Sequence, residues 1–250
     1  MCDQCSESVR GKLAPSRRSA LLLTAAALGT AFAGGAFAKE HKAPPKPQNV
    51  LSPDAALKRL MDGNARYVEG VTRRHDFRHE REALAGGQNP FAAVLSCADS
   101  RIAPEYAFDT GRGDLFVCRV AGNFAGTETI ASMEYAVAVL NTPLILVLGH
   151  DACGAVDATL KAIKDDKPPP GHIPSLADAL APAAKAAMQQ GGNVLDKAIR
   201  QNVIDTVAKL KSAAPILNAA AEQGKLKIAG GIYRLTTGTV DMIARLKAQG

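Results

Sequence analysis

The sequence predicts an α/β fold in which helices flank a mostly parallel β-sheet, and three observations carry that expectation. Two apolar runs, Phe91-Ala-Ala-Val-Leu-Ser96 and Pro143-Leu-Ile-Leu-Val-Leu-Gly149, have the length and aliphatic content of strands buried on both faces. From residue 91 onward, strand-like and helix-like segments alternate, which calls for crossover connections and parallel pairing. The chain of 250 residues, 47% apolar and 22% charged, is long enough for one large domain with a substantial core. With no Trp and only 4% aromatics, that core must be aliphatic.

The N-terminus reads as an export signal. Ser16-Arg-Arg-Ser-Ala-Leu-Leu22 resembles a twin-arginine pattern, an Ala- and Leu-rich stretch follows to Ala33, and Ala36-Phe-Ala38 has the small-residue form of a cleavage site. An uncleaved membrane anchor is the alternative, weakened by Gly29, Gly34 and Gly35. Cleavage after residue 38 would place the mature protein in the periplasm or outside the cell, with no stable membrane insertion. Residues 39–51, with Pro44, Pro45 and Pro47, read as a linker, and 52–250 as a single domain.

That domain starts at Ser52-Pro53-Asp54, which carries an N-cap, a proline at the first helical position and an acid at the positive end of the dipole. Leu57, Leu60 and Met61 share a face of this helix, with Ala65 and Val68 expected to continue it. The charged stretch 73–82 reads as solvent-facing. His75 and His79, four apart within it, could chelate a metal in principle, but no third ligand is near in sequence. Strands are expected at 91–96, 115–120, 143–149 and 226–235, and helices at about 128–140, 154–164, 176–189 and 194–212. The helix near 164 ends at a run of three prolines. Thr236 to Thr239 forms a turn before a short terminal element. Of the net charge of +6, the first 38 residues hold a surplus of two, leaving +4 for the rest. That mild value gives no support for nucleic-acid binding.

Cys97-Ala-Asp-Ser-Arg101 follows one apolar run and His150-Asp-Ala-Cys153 follows the other, so both lie at the carboxyl ends of expected strands, where functional groups gather in open α/β sheets. Alternation along a strand can put Cys97 and Asp99 on one face. At a helix start, residues three apart meet, so His150 and Cys153 can close on the same ion. Two thiolates, an imidazole and a carboxylate make up a tetrahedral zinc set, one ion per chain. Without Cys2 and Cys5 of the signal, Cys97, Cys118 and Cys153 remain, too few for a disulfide framework. Cys118 reads as a buried small hydrophobe, Tyr233 as core, and Arg119, Gly122 and Asn123 as fixing the loop beneath the site. Asp151, between two ligands, has either a supporting place at the site or a place on the surface.

The motifs CADSRIAPE at 97–105, FVCRVAGN at 116–123 and GHDACGA at 149–155 resemble those of the β-class carbonic anhydrases, and the resemblance runs from about Ser52 to Lys247. It implies a core of about four parallel strands plus an edge strand, assembly into homodimers or homotetramers, and zinc-dependent interconversion of carbon dioxide and bicarbonate by a metal-bound hydroxide. By motif position it implies that Cys97, His150 and Cys153 are permanent zinc ligands. Asp99 and Arg101 are then a paired carboxylate and guanidinium beside the metal, Asp99 being either held off by Arg101 or released to become the fourth ligand. Many family members carry Gln in the segment after the first motif. This chain has Thr110 there, a hydroxyl of shorter reach toward substrate oxygen. Two other readings keep the metal: hydrolysis of a carbon dioxide analogue such as carbonyl sulfide or carbon disulfide, and a non-catalytic zinc-binding protein.

Overall fold

The computed structural model describes residues 50–243, which fall within one compact unit. The expected export signal, nearly all of the linker, and residues 244–250 lie outside the described residues.

Helix α1 (Pro53–Val68) begins as its sequence dictates: Ser52 Oγ accepts a hydrogen bond from the Ala55 amide at 3.3 Å, and Pro53 opens the first turn. Its inner face carries Leu60, with Leu57 and Met61 partly buried against the core as expected, but it continues through Ala56, Gly63 and Asn64, whereas Ala65 and Val68 are exposed. The cause is a neighbouring loop: a Cβ on Gly63 would stand 1.9 Å from the Phe108 carbonyl oxygen, so only glycine admits that approach. The charged stretch forms a helix that the sequence reading did not anticipate, α2 (Phe77–Leu84), capped by Asp76 and without a buried residue.

The sheet contains β1 (Ala92–Ser96), β2 (Leu115–Arg119), β3 (Leu144–His150), β4 (Lys227–Tyr233) and β5 (Val240–Met242), in the order β2-β1-β3-β4-β5. The first four are parallel and β5 pairs antiparallel with β4, giving the four-plus-edge sheet that the sequence implied. The central strands β1 and β3 are buried along their whole length, as their unbroken apolar runs require. Between the strands lie α3 (Pro104–Ala107), α4 (Thr127–Ala138), α5 (Gly154–Asp165), α6 (Pro174–Met188), α7 (Val194–Ser212) and α8 (Ile216–Glu222). The short helices α3 and α8 fall in stretches to which the sequence pattern assigns no element, since four and seven residues carry too little periodicity to register.

Two apolar clusters cover the two faces of the sheet. One joins Leu60, Phe91, Val94, Leu146, Leu148 and Ile199; the other joins Leu95, Met133, Ile145, Val147 and Val203. Because β1 and β3 are adjacent and parallel, their carboxyl ends, Ser96 and His150, emerge on the same edge. That adjacency brings two motifs more than fifty residues apart in sequence together.

A candidate metal centre

Cys97 leaves the end of β1, His150 is the last residue of β3, and Cys153 precedes the first turn of α5. All three are buried, at 3%, 0% and 1% exposure. Their sulfur and nitrogen atoms lie within 4.8 Å of one another, and among the described residues this is the one group with metal-holding geometry. The two sulfurs are 4.0 Å apart and both cysteines are free thiols.

Each donor is prepared by its surroundings. His150 Nδ1 donates to the Asp151 carbonyl oxygen at 2.7 Å, which leaves Nε2 as the atom with the lone pair. That Nε2 is buried and has no hydrogen-bond partner, a costly arrangement for an isolated imidazole and the expected one for a ligand. Cys97 Sγ accepts the Gly122 amide at 3.3 Å. Its pKa is held below the ordinary thiol value, first by the hydrogen bond with Cys153, against the opposing effect of burial, with further help from the Gly122 amide. Cys153 is pushed upward by the adjacent Cys97 sulfur and then by burial. Two bare thiolates at this separation would repel, which opposes ionisation of both sulfurs together. A divalent cation removes that constraint and lets both ionise. The donor set of two soft sulfurs and one imidazole fits zinc.

Asp99 and Arg101 stand beside this group. Asp99 Oδ1 accepts from the Arg101 amide and from Nε, both at 2.9 Å, and Oδ2 accepts from Nη2 at 2.7 Å. Arg101 Nη2 also reaches the Ala152 carbonyl at 3.3 Å, tying the first motif to the second. This two-pronged guanidinium pairing holds the Asp99 carboxyl well below the usual carboxylate range. Its Oδ2 lies 3.8 Å from His150 Nε2, so the carboxylate borders the donor group with both oxygens engaged by Arg101.

The loop residues named from sequence occupy supporting places. Arg119 donates to the carbonyls of Cys97, Asp99 and Ile102 at 3.0, 2.7 and 2.8 Å, clamping the first motif into its turn. Gly122 has φ +85°, and a Cβ there would stand 2.7 Å from Leu180. Asn123 is buried, with φ +43°. Asp151 serves the site through its carbonyl, whereas its carboxylate accepts the Leu235 amide at 2.9 Å and fastens the end of β4. Tyr233 is core, its hydroxyl paired with Tyr67 at 2.9 Å. Cys118 is half-buried on the edge strand β2, and burial pushes its thiol up. His75 and His79 pair with separate carboxylates, Glu80 and Asp76.

Thr110 lies elsewhere. Its hydroxyl donates to the Glu105 carbonyl at 3.2 Å. It lines a cavity of about 820 Å³ with Tyr67, Phe77 and Tyr106, and none of Cys97, Asp99, Arg101, His150 and Cys153 borders that cavity. Sequence reasoning missed Asn202, whose side-chain amide donates to the Gly122 carbonyl at 2.7 Å. The one signal was an amide side chain on the inner face of a helix otherwise lined by Ala198, Ile199, Val203, Thr206 and Leu210.

Comparison with known proteins agrees with this geometry. The family model described as carbonic anhydrase matches residues 92–240. Carbonic anhydrase 2 of Mycobacterium tuberculosis is 41% identical over 188 residues, which is 75% of this chain and 91% of that protein. The solved structure of the β-carbonic anhydrase CcaA is 28% identical with a TM-score of 0.59, covering 76% of this chain and 99% of that one. A structure among two tetrameric β-carbonic anhydrases from Sordaria macrospora shares the fold, with a TM-score of 0.60 at 24% identity over 77% of this chain and 98% of that one.

Proposed function

This chain belongs to the β-class carbonic anhydrases and is a carbonate dehydratase; we propose that Cys97, His150 and Cys153 hold the zinc ion for its reversible hydration of carbon dioxide. The observation that carries the assignment is a buried imidazole nitrogen without a hydrogen-bond partner beside two free sulfurs 4.0 Å apart. Zinc in such a site supplies Lewis-acid activation of water for attack on the carbon of carbon dioxide. The two thiolates offset the charge of a divalent ion, so activation is weaker than with three neutral imidazoles, and turnover rises on the alkaline side of neutrality.

Asp99 remains ionised under the grip of Arg101 and can only accept hydrogen bonds. Beside the donor group, it orients a water by accepting its proton-bearing side, which turns a lone pair toward the substrate. Arg101, by occupying both carboxylate oxygens, keeps Asp99 from becoming a fourth ligand. Residues 1–38 export the folded enzyme to the periplasm or beyond. That route lets the thiolates be loaded with metal before they meet an oxidising compartment.

Stopped-flow assay of the purified zinc protein tests the reading. Carbon dioxide hydration should appear, vanish on zinc removal and rise with pH above neutrality. Faster turnover of carbonyl sulfide would reassign the substrate, and full zinc occupancy with neither activity would make the site structural. In Cys153→Ser, zinc and activity should be lost together.

A further inference from the structure

We propose that Asn202, on α7, is a positioning residue for the Cys97 sulfur, acting through the backbone of Gly122. The inference rests on Cys97 being a zinc ligand, and it adds to the site a residue 80 positions beyond Gly122 in the chain.

Asn202 is 4% exposed on a helix face otherwise made of Ala198, Ile199, Val203, Thr206 and Leu210. A side-chain amide is expensive in such surroundings unless it is hydrogen-bonded. Its Nδ2 donates to the Gly122 carbonyl at 2.7 Å, and only the NH₂ end of the amide can pair with a carbonyl, so its orientation is fixed. The Gly122 amide, on the preceding peptide plane, donates to Cys97 Sγ at 3.3 Å. The two planes meet at a glycine with φ +85°, the most freely rotating joint a backbone offers. No side chain can stiffen that joint, since Leu180 fills the space where a Cβ would stand. Asn202 fastens one plane and thereby aims the other at the sulfur.

The same helix supports the second half of the site. Val203 and Ile199 press on Gly149, immediately before His150, with Val203 Cγ2 2.6 Å from where a Cβ would lie. Helix α7 thus backs Cys97 through a hydrogen-bond relay and His150 through packing. A hydrogen bond to a ligating thiolate withdraws charge from sulfur and fixes its direction, which tunes how tightly it holds a metal.

Two variants of the holoenzyme test this. Asn202→Leu keeps the size and removes the donor, whereas Asn202→His retains an N–H at the same number of bonds from Cβ. In chelator competition, Asn202→Leu should lower zinc affinity by about 10–100-fold, the range for lost outer hydrogen bonds, and Asn202→His should restore most of it. In the cobalt-substituted protein, the sulfur-to-metal charge-transfer band should shift in Asn202→Leu and return in Asn202→His. A residue that serves folding alone would lower Tm while leaving affinity and band unchanged, and that result overturns the proposal. The wild-type protein exchanged with ¹¹³Cd gives a readout that needs no variant to fold: the Gly122 amide proton should show scalar coupling to cadmium through Cys97. Absence of that coupling also overturns it. A wild-type protein that binds no zinc would refute the ligand assignment itself, a result distinct from zinc binding that Asn202 does not affect.

Discussion

At the scale of single residues, Asp99 and Arg101 pair beside the candidate metal centre, and the proposed function makes that pair the control on access to the ion. Arg101 is half exposed and needs no burial of its own, yet its planar guanidinium occupies both oxygens of Asp99 and touches the Ala152 carbonyl. Lysine offers a single charged centre and could not match that pairing. In Arg101→Ala, zinc content should be unchanged while kcat/KM falls by about 10–100-fold, as Asp99 turns toward the metal. Full activity in that variant would rule out the gating role. The pH dependence has a definite sign: Asp99 is lowered in the folded protein, so its pairing adds stability above the ordinary carboxylate range and loses it as pH falls. The stability difference between wild type and Arg101→Ala should therefore be constant from pH 5 to 8 and shrink below about pH 4 in denaturant titrations. The chemistry of these residues was legible in sequence because it depends on residue type and short spacing. The buried Asn202 relay was not, because it depends on what a distant helix faces.

At the scale of elements, the strands were read well and the helix faces less so. β1 and β3 announce themselves by unbroken apolar runs, since burial on both faces leaves no polar alternation. α1 announced its start through Ser52 and Pro53 and its inner face at Leu57, Leu60 and Met61, but not the continuation of that face. Gly63 and Asn64 lie inward because the loop at Phe108 and the turn at Gly238 come to them. Asn64 Nδ2 donates to the Ala107 and Gly238 carbonyls at 2.9 and 2.8 Å, and Oδ1 accepts the Val240 amide at 2.9 Å. A polar residue thus pins α1 to α3 and β5 where periodicity favoured an apolar one. Gly63→Ala sets two effects against each other: helix propensity favours alanine by about 1 kcal/mol, and overlap with a fixed carbonyl costs about 3 kcal/mol. Overlap should win, lowering Tm by several degrees in calorimetry. A rise in Tm would mean that the Phe108 loop yields.

At the scale of the whole molecule, the sheet order decides the site and the surface decides its company. Tyr106 and Phe77, exposed at 75% and 60%, border the same cavity in a chain with few aromatics. We expect them to be covered in a homodimer or homotetramer, which light scattering of the purified enzyme would reveal as a mass of two or four chains. Among the described residues, no helix is long and apolar enough to cross a membrane. The proposed signal makes its own prediction: the exported protein should begin at Lys39 on N-terminal sequencing, and Arg17→Lys with Arg18→Lys should hold an uncleaved form inside the cell. Export unaffected by that double substitution would remove the twin-arginine assignment.

The sequence by itself determined the parallel sheet, the placement of two donor-bearing segments at strand ends and the identities of the candidate donors Cys97, His150 and Cys153. Those features follow from hydrophobic periodicity and from donor chemistry at spacings of two or three residues, both of which are local. Only the tertiary structure decided that β1 and β3 lie side by side, that Asp99 is engaged by Arg101, that Thr110 sits outside the metal centre, and that α7 stands behind both halves of it. These depend on packing between segments far apart in the chain, where no local pattern records which surfaces meet.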